Sequence, residues 1–577
     1  MNALCRRLPK PMVFGQMLFL YCWLTNLEKT DSRYGVYFLC AVIGVLCLCD
    51  NYRHPMQLTR KQENWLCIFA GLFAFSTLLA NYGLFEPITA MLSLFNGGCS
   101  FLGGFSVGYH VLLCALRRLP LKAAEEDRKH PAVVFLLVFA SIAAIDLLYL
   151  YFALYPGVLT RDSFSTVMQI MGDGAYNNTM PFWHTVTVQV FLKLGLNLFG
   201  DMNAAVALFH SAQILFMAAC FGAVVVTLYQ IGVPKAVLLG VYALYAFMPY
   251  NIVLSVTLWK DVPFSGAAVL FLVGFYRLLK QIGRHSWLNW LIFVIGALGF
   301  SLWRTNGWYA FAATVLVMLM ILGKKKRKLL LILCIVLVLC WVLINPVLDA
   351  MGVSGTEMVE IFAVPMQQVA RVVWEGRPLT GEETQMLSEI FWLDKVAELY
   401  DPQTVDPIKF ETFRYDKKGY IVDNAAAYLR LYLNLGLKYP GDYLKAWIEE
   451  TKGYWNGGYE FWLYTLNMGG AGYGIERVAG NALVSGLFAS AFRLMNEPPG
   501  MKIFSSVGLY VWLLIGCCLI NVLKKREEFL LTVPLLVLLA GLWVGTPVFC
   551  EFRYAYPLIL SLPLILTVTM IQGNEDT

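Results

Sequence analysis

Charged residues are scarce in this sequence. Asp, Glu, Lys and Arg make up 14% of its 577 residues, whereas soluble globular chains carry about 25%. Hydrophobic residues make up 59%, and a chain of this composition cannot hide its apolar surface in water. Because a bilayer core of about 30 Å requires about 20 apolar residues per helix, the many runs of that length indicate an integral membrane protein.

Patterns for metal binding and disulfide bonding are also missing. The 14 cysteines lie mostly inside apolar stretches, and none belongs to a CxxC pair or to a His/Cys cluster with zinc spacing. This argues against a disulfide framework or a structural metal site. No firm acidic triad for a divalent metal is visible either, so a divalent metal cofactor stays an open question.

The apolar runs predict an all-α fold, a polytopic bundle of about 14 transmembrane helices. They lie near residues 12–27, 34–49, 65–80, 88–116, 131–154, 203–229, 236–256, 262–280, 287–303, 307–322, 329–347, 503–523, 529–546 and 554–571. The first run follows Arg6, Arg7 and Lys10 without a small-residue cleavage site, which predicts an uncleaved span.

Basic residues predict the orientation. The net charge of +6 is spread over short clusters between apolar runs, which indicates membrane topology rather than nucleic-acid binding. With both termini in the cytoplasm, every basic cluster falls on the cytoplasmic side. The apolar stretch Pro181 to Phe199 would break this agreement if it crossed the bilayer, so we interpret it as an amphipathic helix on the outer surface.

Composition divides the chain into four parts. Residues 1–116 form an accessory module of four spans, and residues 131–347 form a transmembrane core whose first outer loop is 155–202. Residues 350–500 are richer in charged residues and glycine, contain no run long enough to span, and predict a small, mainly helical extracytoplasmic domain. Residues 503–571 supply the C-terminal transmembrane helices.

The first outer loop contains two candidate catalytic residues. Asp162 lies beside the lipid surface, where a carboxylate can act as a general base, although it can equally be the N-cap of the next helix. His184 opens the interfacial helix, where a lone histidine is more often a structural hydrogen-bond partner than a catalyst.

Three cations and a second acid mark other outer turns. They are Lys260 and Asp261, Arg304, and Arg553 in the turn Glu551-Phe-Arg-Tyr554. A single cation at such a turn usually reaches towards lipid headgroups. Together with two carboxylates, these cations are instead suited to hold a phosphate. Aromatic residues of the 350–500 region, such as Trp455 and Tyr459, can stack on a sugar or lie at the membrane interface.

The order of these features over residues 131–571 resembles the GT-C superfamily of membrane glycosyltransferases. The resemblance rests on Asp162, on the juxtamembrane stretch from Pro181 to Thr185, on Lys260-Asp261, on the turn starting at Arg304, and on a C-terminal outer domain. The stretches 365–371 and 439–443 are similar to ones in a group of bacterial membrane proteins of that superfamily. One departure is Met180, which stands where many relatives have a histidine before the proline.

The resemblance implies an enzyme of the bacterial plasma membrane. It would transfer a sugar from a polyprenyl-phosphate donor to a glycan, lipid or protein acceptor of the cell envelope. Asp162 would be the general base, with His184 and Asp261 lining the site. Lys260, Arg304 and Arg553 would hold the donor phosphate, and Trp455 and Tyr459 would contact the acceptor.

Other functions stay open at this point. A transporter or flippase for lipids or polysaccharide precursors would favour ionisable residues within the spans, of which Asp146 is an example, and repeated halves, of which none is visible. A polysaccharide polymerase or ligase shares the location and the lipid carrier but not this loop pattern. A purely structural membrane protein is the remaining alternative.

Overall fold

The protein is all-α, as the sequence predicts. The computed structural model describes residues 10–25, 31–84, 89–118, 121, 128–283, 286–323, 326–469, 472–497, 499–545 and 547–571. Within these ranges the chain forms helices joined by turns, and the β-type contacts are isolated bridges rather than strands.

The helices follow one another in four groups. The first group, α1 to α4, comprises Lys10–Thr25, Asp31–Arg53, Arg60–Ala80 and Ala90–Arg118. The second, α5 to α15, comprises Pro131–Phe152, Arg161–Met171, Phe182–Phe199, Met202–Gln230, Lys235–Phe247, Pro249–Ser255, Asp261–Leu279, Ser286–Leu302, Thr305–Leu322, Arg327–Ile344 and Pro346–Ala350. The third, α16 to α23, comprises Met358–Ile361, Ala363–Trp374, Gly381–Ile390, Leu393–Leu399, Lys418–Asp423, Ala425–Lys438, Pro440–Trp455 and Ala482–Asn496. The last, α24 to α26, comprises Val507–Leu523, Val533–Val544 and Phe552–Met570.

The apolar helices fit an integral membrane protein. Ten helices of the described chain are long and apolar enough to cross a bilayer, and the pair α9 and α10, bent by 50°, would make eleven. The structure therefore supports the bundle without confirming 14 spans. Helix α7, Phe182–Phe199, is not among the ten.

Two large cores organise the helices. The main core contains buried side chains from α5, α8 to α14 and α24 to α26. A second core lies within residues 359–443 of the predicted outer domain. The predicted outer domain also contacts the main core. Tyr454 and Trp455 at the end of α22, and Phe492 of α23, pack into the main core.

The first four helices pack on one another and on the C-terminal helices. Trp23 Nε1 donates a hydrogen bond to Thr77 Oγ1 at 3.2 Å, which ties α1 to α3. The rings of Phe69 and Phe73 on α3 lie edge-on to Trp512 of α24, with centroids 5.4 and 5.3 Å away. The N-terminal helices thus lie against α24.

Candidate active site

The start of α6 is fixed by residues around Asp162 rather than by Asp162 itself. Thr160 is the N-cap, and its backbone N–H donates to Ser163 Oγ at 2.9 Å. Trp259 Nε1 donates to Thr160 Oγ1 at 2.7 Å, and Ser163 Oγ donates to the Leu258 carbonyl at 2.8 Å. Asp162 is therefore not the N-cap, and its carboxylate is available for other partners.

Arg553, in the first turn of α26, joins the start of α6 to the turn that precedes α26. Its Nη1 donates to Asp162 Oδ2 at 2.7 Å, and its Nε lies 3.1 Å from Glu551 Oε1. Its guanidinium lies over the rings of Trp259 and Tyr554, 4.8 and 5.2 Å from their centroids. Two residues separated by nearly four hundred positions therefore form one ion pair.

Asp261 and Arg304 form a second ion pair beside the first. Asp261 is the first residue of α11, where the helix N-terminus favours a carboxylate. It is fully buried; one of its oxygens pairs with Arg304 and the other has no hydrogen-bond partner. The Arg304 guanidinium lies 4.5 Å from the centre of the Tyr554 ring. Tyr554 thus contacts the guanidinium groups of both pairs.

Lys260 belongs to the same charged cluster. Its Nζ donates to the Thr179 carbonyl at 3.1 Å and lies 3.6 Å from Met180 Sδ. Burial lowers the pKa of the Lys260 ammonium, although the nearby carboxylates Asp162 and Asp261 oppose that change. Met180 is therefore a direct neighbour of Lys260, a candidate phosphate-binding residue.

The two carboxyl groups beside Arg553 have opposite pKa shifts. Burial raises the pKa of the Asp162 carboxyl, but the charges of Arg553 and Lys260 outweigh burial and lower it to about 2. Burial raises the pKa of Glu551 to about 7. The charge of Arg553 opposes this rise, and the charges of the neighbouring acids add to it. Environments that separate the pKa values of two neighbouring acids are a feature of acid–base sites.

A polar cavity of about 310 Å³ opens at this cluster. Its lining includes Asp162, Glu551 and Arg553, together with two acids and a lysine from the 350–500 region. The other lining residues described are Thr160, Arg161, Trp259, Glu360, Ala363, Thr404, Val405, Asp406, Lys409, Phe461, Trp462, Pro547, Val548 and Tyr554. Its size suits a small polar ligand.

The lining contributed by the 350–500 region is centred on Lys409. The Lys409 Nζ lies 3.0 Å from Glu360 Oε2 and 2.9 Å from Asp406 Oδ1. Burial would lower the pKa of Lys409, but these two carboxylates raise it above its usual value. Lys409 lies on a five-residue π-helical turn, Ile408–Thr412, a conformation found frequently at functional sites.

Several residues singled out from the sequence do not line this cavity. His184 is buried on α7, and burial lowers its pKa to about 3, so its ring is neutral at pH 7. Trp455 is buried and stacks on Trp447 with centroids 6.3 Å apart. Tyr459 is buried against Phe549, with centroids 5.2 Å apart. The aromatic residues that do line the cavity include Trp462, which is 60% exposed.

The rest of the site is only partly predictable from the sequence. The sequence shows Glu551 in the turn before α26, but it does not predict that Glu551 is buried beside Arg553. Glu360, Asp406 and Lys409 carry no sequence signal, because they reach the cavity only through the fold of the 350–500 region. Among the described residues, no group of three or more His, Cys, Asp or Glu side chains is placed to hold a metal ion.

Fold and composition define the class of protein, an all-α integral membrane protein. Residues 172–577 match the profile of a family described as a family of unknown function (DUF6020), and the chain belongs to that family. The matched segment includes Lys260, Arg304 and Arg553, whereas Asp162 lies just before it. No curated protein and no solved structure matches the chain.

Proposed function

We propose that the protein is a membrane glycosyltransferase that moves a sugar from a polyprenyl-phosphate donor to a cell-envelope acceptor. The observation that carries the proposal is the polar cavity in which Arg553 contacts both Asp162 and Glu551 at the end of a membrane-spanning helix. A donor anchored in the bilayer by its lipid can present a phosphate to such a cation, and an acid beside it can accept a proton.

The chemistry is a displacement at the anomeric carbon of the donor sugar. The acceptor oxygen or nitrogen forms a bond to that carbon while the bond to the lipid phosphate breaks, and the electron pair leaves with the phosphate. Arg553, with Arg304 and Lys260 close by, stabilises the negative charge of the leaving phosphate. The proton of the acceptor passes to a carboxylate of the cavity.

The pKa values support Glu551 rather than Asp162 as the proton acceptor. A carboxylate with a pKa of about 2 is a weak base, whereas a group with a pKa of about 7 is matched to neutral pH. We therefore assign proton transfer to Glu551 and the orientation of Arg553 to Asp162. The wall formed by Glu360, Asp406 and Lys409 would contact the acceptor, with Trp462 in the stacking role that the sequence suggested for Trp455 and Tyr459.

The proposal includes the topology expected from the sequence. It places both termini in the cytoplasm, α7 on the outer surface, and residues 350–500 outside the plasma membrane. Helices α12 and α24, of 17 residues each, and α1, of 16, would then cross the membrane with the ten longer ones and the bent pair to give 14 spans. Spans of about 17 residues are near the lower limit for a bilayer.

Comparison of lipid-linked glycans in cells with and without the protein tests the proposal. Loss of the protein should lead to accumulation of a polyprenyl-phosphate sugar and loss of one glycosylated product. Asp162→Asn should reproduce that loss, while Asp394→Asn, an exposed acid of α19, should restore the normal pattern. An unchanged set of lipid-linked glycans in cells without the protein would contradict the proposal.

A transporter is the second candidate function, because Asp146 within α5 is only 3% exposed and faces the helix bundle. Buried acids within membrane spans commonly lie on ion or substrate pathways. Translocation of a lipid-linked precursor in proteoliposomes, without transfer of its sugar, would favour this candidate.

A further inference from the structure

A large apolar cavity lies between the N-terminal helices and the main core. Its volume is about 800 Å³, and its walls come from α2, α3 and α4 on one side and from α9, α10, α24 and α26 on the other. Ile43, Phe73, Leu244 and Leu513 are among the lining residues. This cavity is separate from the one that contains Asp162.

Polar groups at its wall are satisfied within the protein. The Tyr245 hydroxyl donates to the Leu560 carbonyl at 2.7 Å, and the Asn251 amide donates to the Leu244 carbonyl at 2.9 Å. The Tyr510 hydroxyl donates to the Phe504 carbonyl at 2.7 Å. Because these groups already have hydrogen-bond partners, they do not require bound water. Apolar cavities of this kind bind apolar ligands.

A smaller polar cavity adjoins the apolar one. It measures about 270 Å³ and shares Tyr250 and Phe504 with the larger cavity. Its lining includes Glu460 and Lys502, whose charged groups lie 3.4 Å apart, and it also includes Asn496. Lys502 is about one-quarter exposed and Glu460 about one-third exposed, so both remain accessible to a polar group.

We propose that these two adjoining cavities together bind one zwitterionic phospholipid of the bilayer. The acyl chains occupy the apolar cavity, and the headgroup occupies the polar one. Lys502 donates to the lipid phosphate, while Glu460 accepts from the headgroup ammonium. A lipid that carries only a phosphate would satisfy Lys502 but would meet repulsion from Glu460. The N-terminal helices thereby form one wall of a lipid site.

Lipid retention by the full-length protein tests this site. The protein is reconstituted in vesicles with equal amounts of phosphatidylethanolamine and phosphatidylglycerol, re-extracted in mild detergent, and analysed by native mass spectrometry. The wild type should retain phosphatidylethanolamine in preference to phosphatidylglycerol. The cavity-filling pair Ile43→Trp and Leu244→Trp should lose most of the retained lipid, whereas Leu331→Trp, which is exposed on α14, should not.

The polar cavity, which contains Glu460 and Lys502, is tested separately. Glu460→Gln should keep the lipid but reduce the preference for phosphatidylethanolamine by about 5- to 10-fold, the size of one lost charge-assisted contact. Glu398→Gln, an exposed glutamate of α19, should leave the preference unchanged. The site is refuted if the wild type retains no lipid, if the tryptophan pair retains as much as Leu331→Trp, or if Glu460→Gln keeps the full preference. Because Glu460→Gln leaves the apolar cavity intact, it tests the site even if the tryptophan pair does not fold.

Discussion

At the scale of residues, the site is two ion pairs that share one aromatic ring. The guanidinium groups of Arg304 and Arg553 lie 4.5 and 5.2 Å from the centre of the Tyr554 ring, and each is paired with an aspartate. A third acid, Glu551, lies beside Arg553 but is 3% exposed. Burial favours its neutral form, so this carboxyl is the one poised to exchange a proton near neutral pH.

Glu551→Gln tests the assignment of proton transfer. A base with a pKa of about 7 works when deprotonated, so kcat/KM of the wild type should rise with pH through about 7. The glutamine variant should lose about 100-fold or more in rate and should lack this rise. A pH–rate profile of the purified protein provides the measurement. A wild-type profile that is flat between pH 6 and 8 would refute the role of Glu551.

Asp162→Asn should shift that profile as well as lower it. Loss of the Asp162 charge removes one cause that raises the pKa of Glu551, so the midpoint of the rise should move to lower pH. Turnover should also fall by at least about tenfold, because Arg553 loses the partner that orients it. Asp394→Asn should leave both the midpoint and the rate unchanged. A midpoint shifted to higher pH would contradict this electrostatic account.

Sequence patterns located much of the charged cluster but not its chemistry. Asp162, Lys260, Asp261, Arg304 and Arg553 were predicted from outer turns, and the fold brings them into one connected cluster. The pKa values of these side chains cannot be predicted from the sequence, because they depend on burial and on partners distant in the chain. Asp162 and Glu551 both carry a carboxyl group, but the environments of these two neighbours differ widely.

At the scale of elements, the turn that carries Glu551 is held by α22. Gly453 lies directly against Cys550, so closely that an added Cβ would come within 2.3 Å of the Cys550 Cβ. The Phe549 N–H also donates to the Gln403 carbonyl at 3.0 Å, which ties the turn to the 350–500 region. The position of Glu551 therefore depends on close packing behind the cavity.

Gly453→Ala should disturb the site without changing any cavity residue. The added methyl group must displace the turn at Cys550, at a cost in stability of about 1–3 kcal/mol, and activity should fall with it. Gly441→Ala on the same helix is the matched control, because its added Cβ meets nothing within 4 Å. Thermal unfolding and turnover measure both effects. Equal behaviour of the two variants would show that the packing does not position the turn.

Helices were the elements that the sequence predicted most completely. Each apolar run coincides with one helix or with a pair of helices, because a segment in a bilayer must satisfy its own backbone hydrogen bonds. The break between α9 and α10 was not predicted. It falls at Met248, directly before Pro249, and prolines disfavour a helical conformation in the preceding residue.

At the scale of the whole molecule, three parts of the chain meet at the cavity. The start of α6 supplies Asp162, the 350–500 region supplies Lys409, and the start of α26 supplies Arg553. No sequence pattern specifies this meeting, since these residues are far apart in the chain. The N-terminal helices lie instead at the apolar cavity.

Topology is testable for the whole chain by cysteine labelling in intact cells. In a chain whose native cysteines are replaced by alanine, Glu398→Cys in the outer domain should react with a membrane-impermeant maleimide. Lys280→Cys, directly after α11, should react only after the membrane is permeabilised, because the proposed topology places it in the cytoplasm. The opposite pattern would place the cavity on the cytoplasmic side and contradict the proposed location of the chemistry.

The most direct test of the central claim is sugar transfer by the purified protein in liposomes. The reaction contains a polyprenyl-phosphate sugar labelled in the sugar and an extract of cell-envelope acceptors. The account predicts that the label moves to an acceptor with wild-type protein and with Asp394→Asn, but not with Glu551→Gln. Label that stays on the lipid with the wild type, or that moves equally with Glu551→Gln, would contradict it.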